Sequence, residues 1–591
     1  MTDTLTPNAT PTPPDCSMGL EPNGTDAKAS DVGYLAYRAR GENQTALIAP
    51  PLGDAELLLK SNLSRRGALP RPNASAASPG AGDKRSAPPS DFWDDLRNLA
   101  RTQLLSDARQ YTSAYRNVPS SLPVASNTGS REPLQPERAA VPIVMAGHQP
   151  TLFHPGVWFK NFALNRISRD VGAHAVNLVI DNDVAASRSI RVPVRDSAGR
   201  VRYETVSYDA GGAGIPFEQA RIRDLRQFDQ FDTAVRHAIS PLVSDPCVTD
   251  LWPHARAAIR RCEIAGCALA QARHSLEGEF GWQTLEIPLG VAVRGLPFAR
   301  FVMEIIDDAD RFHRVYNGAA NHYRAWHGIR SSAHPVPNLG REDEWIELPL
   351  WLYGNDRPVR RAVWVRRIGN QLELSDRQSG ARPACSVLLP ADDRDAAATA
   401  LAEASSPEFK LRPRALMTTM FARLLLSDLF LHGIGGGKYD QLADRIICQF
   451  FQITPPAFQV VSATVRLPGQ DRDADRPAAM EELCRQIRDT QYHGERWLAD
   501  GKPELRSLAE RKRELLEHLP PKGRRGQWHR EMDSVNQSLA NGLQSERQKL
   551  QAKLQRLRLE AAEEQILASR ELSFCLFPID ELTSAFEQML R

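Results

Sequence analysis

The stretch from Val141 to Asp183 restricts the fold of this chain more than any other. VPIVMAG, residues 141–147, is an apolar run short enough for a fully buried strand, and PGVWFKNFALNRISRD, residues 155–170, reads as a helix with Pro155 in its first turn. VNLVIDND, residues 176–183, reads as a second strand. A strand, a tight turn, a helix and a further strand make a crossover unit, and such units build parallel sheets covered by helices. The pattern predicts an α/β fold.

At 591 residues the chain exceeds one ordinary core, so two or three structural units are expected. Residues 1–90 read as a mostly disordered extension, because 1–30 and 66–90 are rich in Pro, Ser, Thr and Asn and poor in large apolar groups. Between them GYLAYRA and QTALIAPPL suggest one or two strands. Phe92, Leu96, Leu99, Leu104 and Tyr111 recur at near-helical spacing, which predicts a helix from Asp91 to about Arg116, followed by a Pro/Ser linker. The core is expected over 91–477, with a β hairpin or meander at 188–208 and helical insertions at 247–279 and 298–328. ELPLWLY and RRAVWVRRIGNQLELSD, the latter with a Gly369-Asn370 turn, predict an antiparallel pair, and 411–466 reads as helices with AFQVVSATVRL as the one clear strand. Residues 478–571 predict an antiparallel helical hairpin turned by LPPKGRRGQ. Its seam runs through Met480, Leu483, Ile487, Trp497, Leu505, Leu508 and Leu515 in one arm and Trp528, Met532, Val535, Leu539, Leu550, Leu554, Leu557 and Ala561 in the other, with an eleven-residue stutter between Leu539 and Leu550. Residues 572–591 are expected to return to the core.

Composition narrows the functional class. The 74 basic and 72 acidic side chains leave a formal charge of only +2, which argues against a nucleic-acid partner or an anionic membrane surface. No run approaches 18 apolar residues, and the N-terminus lacks a basic start followed by an apolar stretch, so no membrane span or secretory signal is expected. Eight cysteines without a CxxC pair read as reduced thiols of a cytoplasmic protein. No HExxH, Cys/His quartet or GxSxG occurs, so neither a structural metal nor a serine nucleophile is expected.

Three segments carry candidate chemistry. AGHQPTLFHPGVWFKN, residues 146–161, joins the first strand to its helix, at the edge of a parallel sheet where ligands bind. Gly147, His148, Gln149, His154 and Lys160 are the candidates there for contact with phosphate or carboxylate. A plain turn with His154 as helix cap fits the same residues. Asp181, Asn182 and Asp183 end the second strand; paired carboxylates orient an amine, accept a proton or hold Mg²⁺, and an ordinary Asx turn is the plain alternative. LHGIGGGKYD, residues 431–440, reads as lying between two helical segments, where Gly435 and Gly436 allow close approach and Lys438 adds charge. It is not a Walker A loop, and on spacing alone it suits a helix terminator.

Over about residues 90–591 the order of segments resembles the bacillithiol-biosynthesis cysteine-adding enzymes, the cysteine ligases of that pathway. AGHQPTLFHPG is similar to the family's first loop, VIDND to its acidic cluster, and LRPRALMTTMFARLLLSDLFLHGIGGGKYD to its later helix and Gly-rich loop. PPAFQVVSATVRL, the helical hairpin and SRELSFCLFPIDELTSAFEQML follow in family order. The resemblance implies a Rossmann-like core, a coiled coil that supports a homodimer, and amide formation between an amino acid such as cysteine and a small amine such as an aminosugar malate, with ATP or another nucleotide as activator. Asp181, Asp183 and His148 would then be catalytic, and Gly147, Gln149, His154, Lys160, Asn182, Gly435, Gly436 and Lys438 would bind substrate or nucleotide. A scaffold without catalysis and a nucleotidyl-transfer enzyme remain as alternatives.

Overall fold

The computed structural model describes residues 33–66, 92–118, 141–184, 187–211, 214–378, 385–468, 475–498 and 503–591. The expected disorder of 1–30, most of 66–90 and the linker before 140 fall outside these residues. Along the chain, β1 (Thr45–Ala49), α1 (Ala55–Arg66) and α2 (Phe92–Ser113) precede the crossover unit β2 (Ile143–His148), α3 (Pro155–Asp170) and β3 (His174–Val179). The hairpin β4 (Ser189–Arg195) and β5 (Val201–Ser207) leads to α4 (Leu225–Ile239), α5 (Val248–Cys262) and α6 (Ala265–Glu279). Next come β6 (Leu285–Pro288), α7 (Leu289–Ala292), α8 (Leu296–Ile306) and α9 (Ala309–Trp326). A β-rich section holds β7 (Arg341–Glu342), β8 (Trp345–Tyr353), β9 (Arg361–Ile368), β10 (Gln371–Ser375) and β11 (Ser386–Pro390). Then follow α10 (Arg394–Glu403), β12 (Lys410–Pro413), α11 (Ala415–Phe421), β13 (Leu429–His432), α12 (Ile434–Ile446) and β14 (Phe458–Thr464). The chain closes with α13 (Arg476–Tyr492), α14 (Pro503–Glu517), α15 (Arg525–Gly542), α16 (Gln544–Leu567) and α17 (Ile579–Met589).

The main sheet runs β1-β14-β13-β2-β3-β6, with β1 antiparallel at one edge and the other five strands parallel. Numbered by their order in the chain, the parallel strands lie 3-2-1-4-5, so the order reverses between β2 and β13. The fold is mixed α/β. Its strands are mostly apolar because both faces are covered, with Asn177, Glu286 and Gln459 as buried polar exceptions. Ile143, Met145, Val176 and Leu178 face a core shared with α2, α8, α9 and α12, while Trp158 and Phe162 of α3 pack on Phe574 and Phe586 of the closing segment.

A second, antiparallel sheet runs β11-β10-β9-β8-β12, with β7 beside β8. The sequence led to only two of its strands. β1 answers a further expectation: Thr45–Ala49 pair antiparallel with Thr464–Val460 of β14, and Asn62 of α1 bonds the backbone of Asp428 and Ala457, so this part of the expected extension carries an edge strand of the sheet and a helix tied to it.

The described residues form two compact units, one of those up to Val192 with Thr205–Val465 and Arg570–Arg591, the other of those within Pro193–Glu204 and Arg466–Ser569. In the second unit α14 packs on α15 around Leu505, Leu515, Met532, Val535 and Leu539, and α13 packs on α16 around Leu483, Leu550 and Leu554. They are part of the seam expected from the sequence; Met480, Ile487, Trp497, Leu508, Trp528 and Leu557 pack against them half-buried, and Ala561 is in neither cluster. Both arms are interrupted, and the stutter coincides with the break at Gly542 and Leu543 between α15 and α16.

Candidate active site

The carboxyl ends of β2, β3 and β13 carry most of the predicted residues. At the end of β3, Asp181 is 8% exposed and accepts a hydrogen bond from the Gly290 amide at 2.9 Å. A carboxylate that sequence reasoning missed lies beside it. A Cβ at Gly290 would meet Glu218 Oε2 at 2.7 Å and Asp181 Oδ2 at 3.3 Å, so both acids face one backbone point. Arg412 of β12 grips Glu218 with Nε and Nη2, each at 3.0 Å, and Tyr353 of β8 donates to it at 2.5 Å. Burial opposes ionisation of Glu218, but Arg412 and these hydrogen bonds outweigh it and its pKa lies below the usual value. Asp181 gains less compensation. Burial, and then the charge of Glu218, raise it to about 7. One acid is thus held ionised and its neighbour is poised to hold or release a proton near neutrality.

Asp183 is placed differently. Gln149 donates to its Oδ2 at 3.0 Å and Arg360 to its Oδ1 at 3.0 Å, so both oxygens are occupied. Arg360 and Arg414 also stand over Trp351, at 5.0 and 4.1 Å from the ring centroid. Asn182 donates to the Pro413 carbonyl at 2.7 Å and serves to join the β3 loop to β12. Of the predicted trio only Asp181 has chemistry to spare.

At the end of β2, His148 Nδ1 lies 3.2 Å from the Gln149 carbonyl, which only an N–H satisfies, so Nε2 is the bare nitrogen. Burial, then the Lys160 charge, lowers its pKa to about 3, and it stays neutral. Lys160 is 2% exposed and donates to the Gly147 carbonyl at 2.5 Å; burial and Arg273 lower it to about 7. His154 takes the plainer of its two readings. Its Nδ1 accepts from the Gly156 amide at 3.1 Å as the cap of α3, and its Nε2 faces Glu571 at 3.8 Å. Gly156 packs so closely on β14 that a Cβ there would sit 2.3 Å from the Ala463 carbonyl oxygen. The α3 N-terminus is therefore closed by protein, and the anion expected there is not accommodated.

The Gly-rich run is the main correction. It does not end a helix: Leu429–His432 is β13, Gly433 stands at the N-cap of α12 with no side-chain cap, and the run opens that helix. Gly437 is required for packing, since a Cβ would lie 2.3 Å from Val460 Cγ2, whereas a Cβ on Gly435 would meet nothing within 4 Å. Gly436 lies against His432, whose Nδ1 would be 2.8 Å from a Cβ at that position. His432 Nε2 is 2.8 Å from Asp440 Oδ2, and Thr419 and Arg423 hold the same carboxylate at 2.5 Å each. Burial is the largest influence on Asp440, yet Arg423 and His432 overcome it and its pKa is low, so it accepts from His432 Nε2–H and leaves Nδ1 bare. This histidine was within the quoted motif and unremarked; its place directly before the glycines was the available signal.

β13 and β2 are the neighbours at which strand order reverses, and at strand spacings of about 4.8 Å the end of β3 lies roughly 10 Å from the end of β13. An uncapped Gly-rich helix start and a proton-sharing acid pair are thus placed on one edge. The hollow behind His148 and Gln149 measures only about 10 Å³, near the minimum for one water, and a far larger cavity of about 1040 Å³ lies elsewhere. Volume and chemistry point to different places, and the strand reversal with its convergent groups is the better guide to a reacting site. Among the described residues no cluster of three or more His, Cys, Asp or Glu side chains is arranged to hold a metal. These features define a mixed α/β protein with polar chemistry at the carboxyl edge of its parallel strands. In comparison with known proteins, the chain matches no family model and no curated protein.

Proposed function

We propose that this protein is an amide-forming ligase of the cysteine-adding type, with a Rossmann-like core and a coiled-coil hairpin, joining an amino acid to a small amine with nucleotide activation. The observation that carries this reading is the pairing, on one sheet edge, of the uncapped α12 start with the Asp181–Glu218 acid pair. The nucleotide supplies an activated carboxyl with phosphate as leaving group. The amides of the first α12 turn, together with Lys438, take the phosphate charge, and Gly435 leaves the backbone open to it. The attacking amine must be neutral. Its proton passes to the Asp181–Glu218 pair as the C–N bond forms and the C–O bond to phosphate breaks. Glu218, locked by Arg412 and Tyr353, keeps Asp181 basic enough to accept it.

The test is thermal denaturation of the full chain with ATP, ADP, AMP, cysteine and an aminosugar malate, singly and together, followed by mass analysis for the amide. The full chain is needed because β1 is a strand of the sheet. A rise in midpoint with nucleotide that Gly435→Ala removes, and amide formation that Asp181→Asn abolishes, are expected. No shift with any ligand at millimolar concentration rejects the ligase and leaves the scaffold.

A further inference from the structure

Two thiols that the ligase reading leaves unused meet at the turn between α5 and α6. Cys262 is the last residue of α5 and Cys267 the third of α6, and Glu263, left-handed at φ 54°, turns the chain between them. The two side chains hydrogen-bond to each other. Both are free and half-buried, whereas the free thiols of Cys247 and Cys575 are sealed in the interior. The backbone holds the turn in place from the side. The Ala265 amide donates to the Ala220 carbonyl at 2.8 Å and the Ile222 amide to the Glu263 carbonyl at 3.2 Å. Gly266 is packed so closely that a Cβ there would meet Phe217 Cβ at 2.8 Å and Pro150 Cγ at 3.2 Å. The thiols are therefore kept together by the fold and do not depend on a chance encounter.

The surroundings give the two sulfurs different roles. The hydrogen bond from Cys267 is the largest influence on Cys262; it outweighs burial and lowers the thiol to about 7. Cys267 gives its proton to that bond, which, with burial, raises its own pKa. Gln271 Nε2 donates to the Cys267 sulfur at 3.2 Å and fixes its position. A thiolate available near neutrality with a second thiol in contact is the arrangement of a nucleophile and its resolving partner, whereas a structural cysteine sealed among apolar groups is inert.

We propose that Cys262 and Cys267 form a modification site for a hydroperoxide, closed by a reversible disulfide between them. The Cys262 thiolate attacks one peroxide oxygen, the O–O bond breaks, and the departing oxygen takes up a proton, which leaves a sulfenic acid on Cys262. The Cys267 sulfur then attacks the Cys262 sulfur, the S–O bond breaks, and water leaves with the thiol proton. The peroxide gains two electrons and the two thiols lose them; an added dithiol returns them. This site is independent of the ligase reading, since it uses none of the same residues.

The test treats the reduced full chain with hydrogen peroxide at neutral pH, blocks remaining thiols with iodoacetamide and digests the protein with trypsin. Both cysteines fall in one tryptic peptide, 262–273, bounded by Arg261 and Arg273. That peptide is expected to lose the mass of two hydrogens, to escape alkylation, and to recover both thiols with dithiothreitol. Its oxidation should run about fivefold faster than that of Cys484, an exposed thiol in the same chain. In Cys267→Ser the sulfenic acid has no resolving partner, so dimedone should label Cys262. The unchanged protein carries the main readout, so the result does not depend on a variant folding. The proposal fails if peptide 262–273 keeps two alkylated cysteines after oxidation, or if its disulfide forms no faster than Cys484 reacts. It also fails if the folded Cys267→Ser protein takes up no dimedone at Cys262.

Discussion

At the carboxyl edge of the parallel strands, Asp181 after β3, Lys160 of α3, His432 of β13 and Glu218 from the segment between β5 and α4 come under close packing, with a hollow of about 10 Å³ behind the loop after β2, whereas the amino edge leaves about 1040 Å³. The crowded edge has acids and bases with displaced proton affinities; the open edge has aromatic walls, Phe162 and Trp282 among them. Desolvation makes the difference. A buried charge must be matched by another, which draws the surrounding backbone in, while a cavity open to solvent tolerates a loose rim of arginines.

The sharpest way to break this comparison is to remove a charge from the crowded edge. Arg412→Ala leaves Glu218 and Asp181 facing each other without the cation bonded to Glu218, only Lys410 remaining nearby, and it should cost about 3–5 kcal/mol in denaturant unfolding. A loss below about 1 kcal/mol would show that water already reaches the pair. The two glycines of α12 come next. Gly437→Ala should destabilise by about 1–3 kcal/mol through its clash with Val460, while Gly435→Ala should leave stability unchanged or raise it by up to about 1 kcal/mol.

Proton linkage gives a smaller, signed effect. Asp181 has a folded pKa of about 7, above its unfolded value, so between about pH 4 and 7 the native state binds more protons and stability falls as pH rises, by at most about 1.4 kcal/mol per pH unit. Lys160 acts in the opposite direction over a different range. Its folded pKa of about 7 lies below the unfolded value, so above pH 7 the unfolded state binds more protons and stability rises with pH. Unfolding followed from pH 4 to 10 should lose the first slope in Asp181→Asn and the second in Lys160→Met. The smallest change is expected for Arg360→Ala, whose half-open ion pair with Asp183 should contribute less than about 1 kcal/mol, measured by the same unfolding curve.

Much of the framework was legible. The crossover unit was read almost residue by residue, with α3 at Pro155–Asp170, and the seam of the helical arms was read down to Leu505, Met532, Val535 and Leu539. β13 was not, because MTTMFARLLLSDLFLHG is apolar at every period and a short buried strand within it has no local mark. That omission misplaced the glycines after it. Of the site, Asp181 was found through its position after an apolar strand, but Glu218 was not, nor were Tyr353 and Arg412, which lie 135 and 194 positions from Glu218 with no spacing to join them.

The sequence by itself determined the α/β class, the crossover helix and the seam of the helical arms, because periodicity and turn chemistry act within a few residues. Only the tertiary structure decided which helix start stays open and which carboxylate keeps its proton. His154 and Gly156 close α3 against β14, whereas Gly433 leaves α12 uncapped, and Glu218 sets the proton affinity of Asp181 from a separate loop. Both outcomes depend on burial and on the charge of groups brought together by folding, and neither quantity exists in the extended chain.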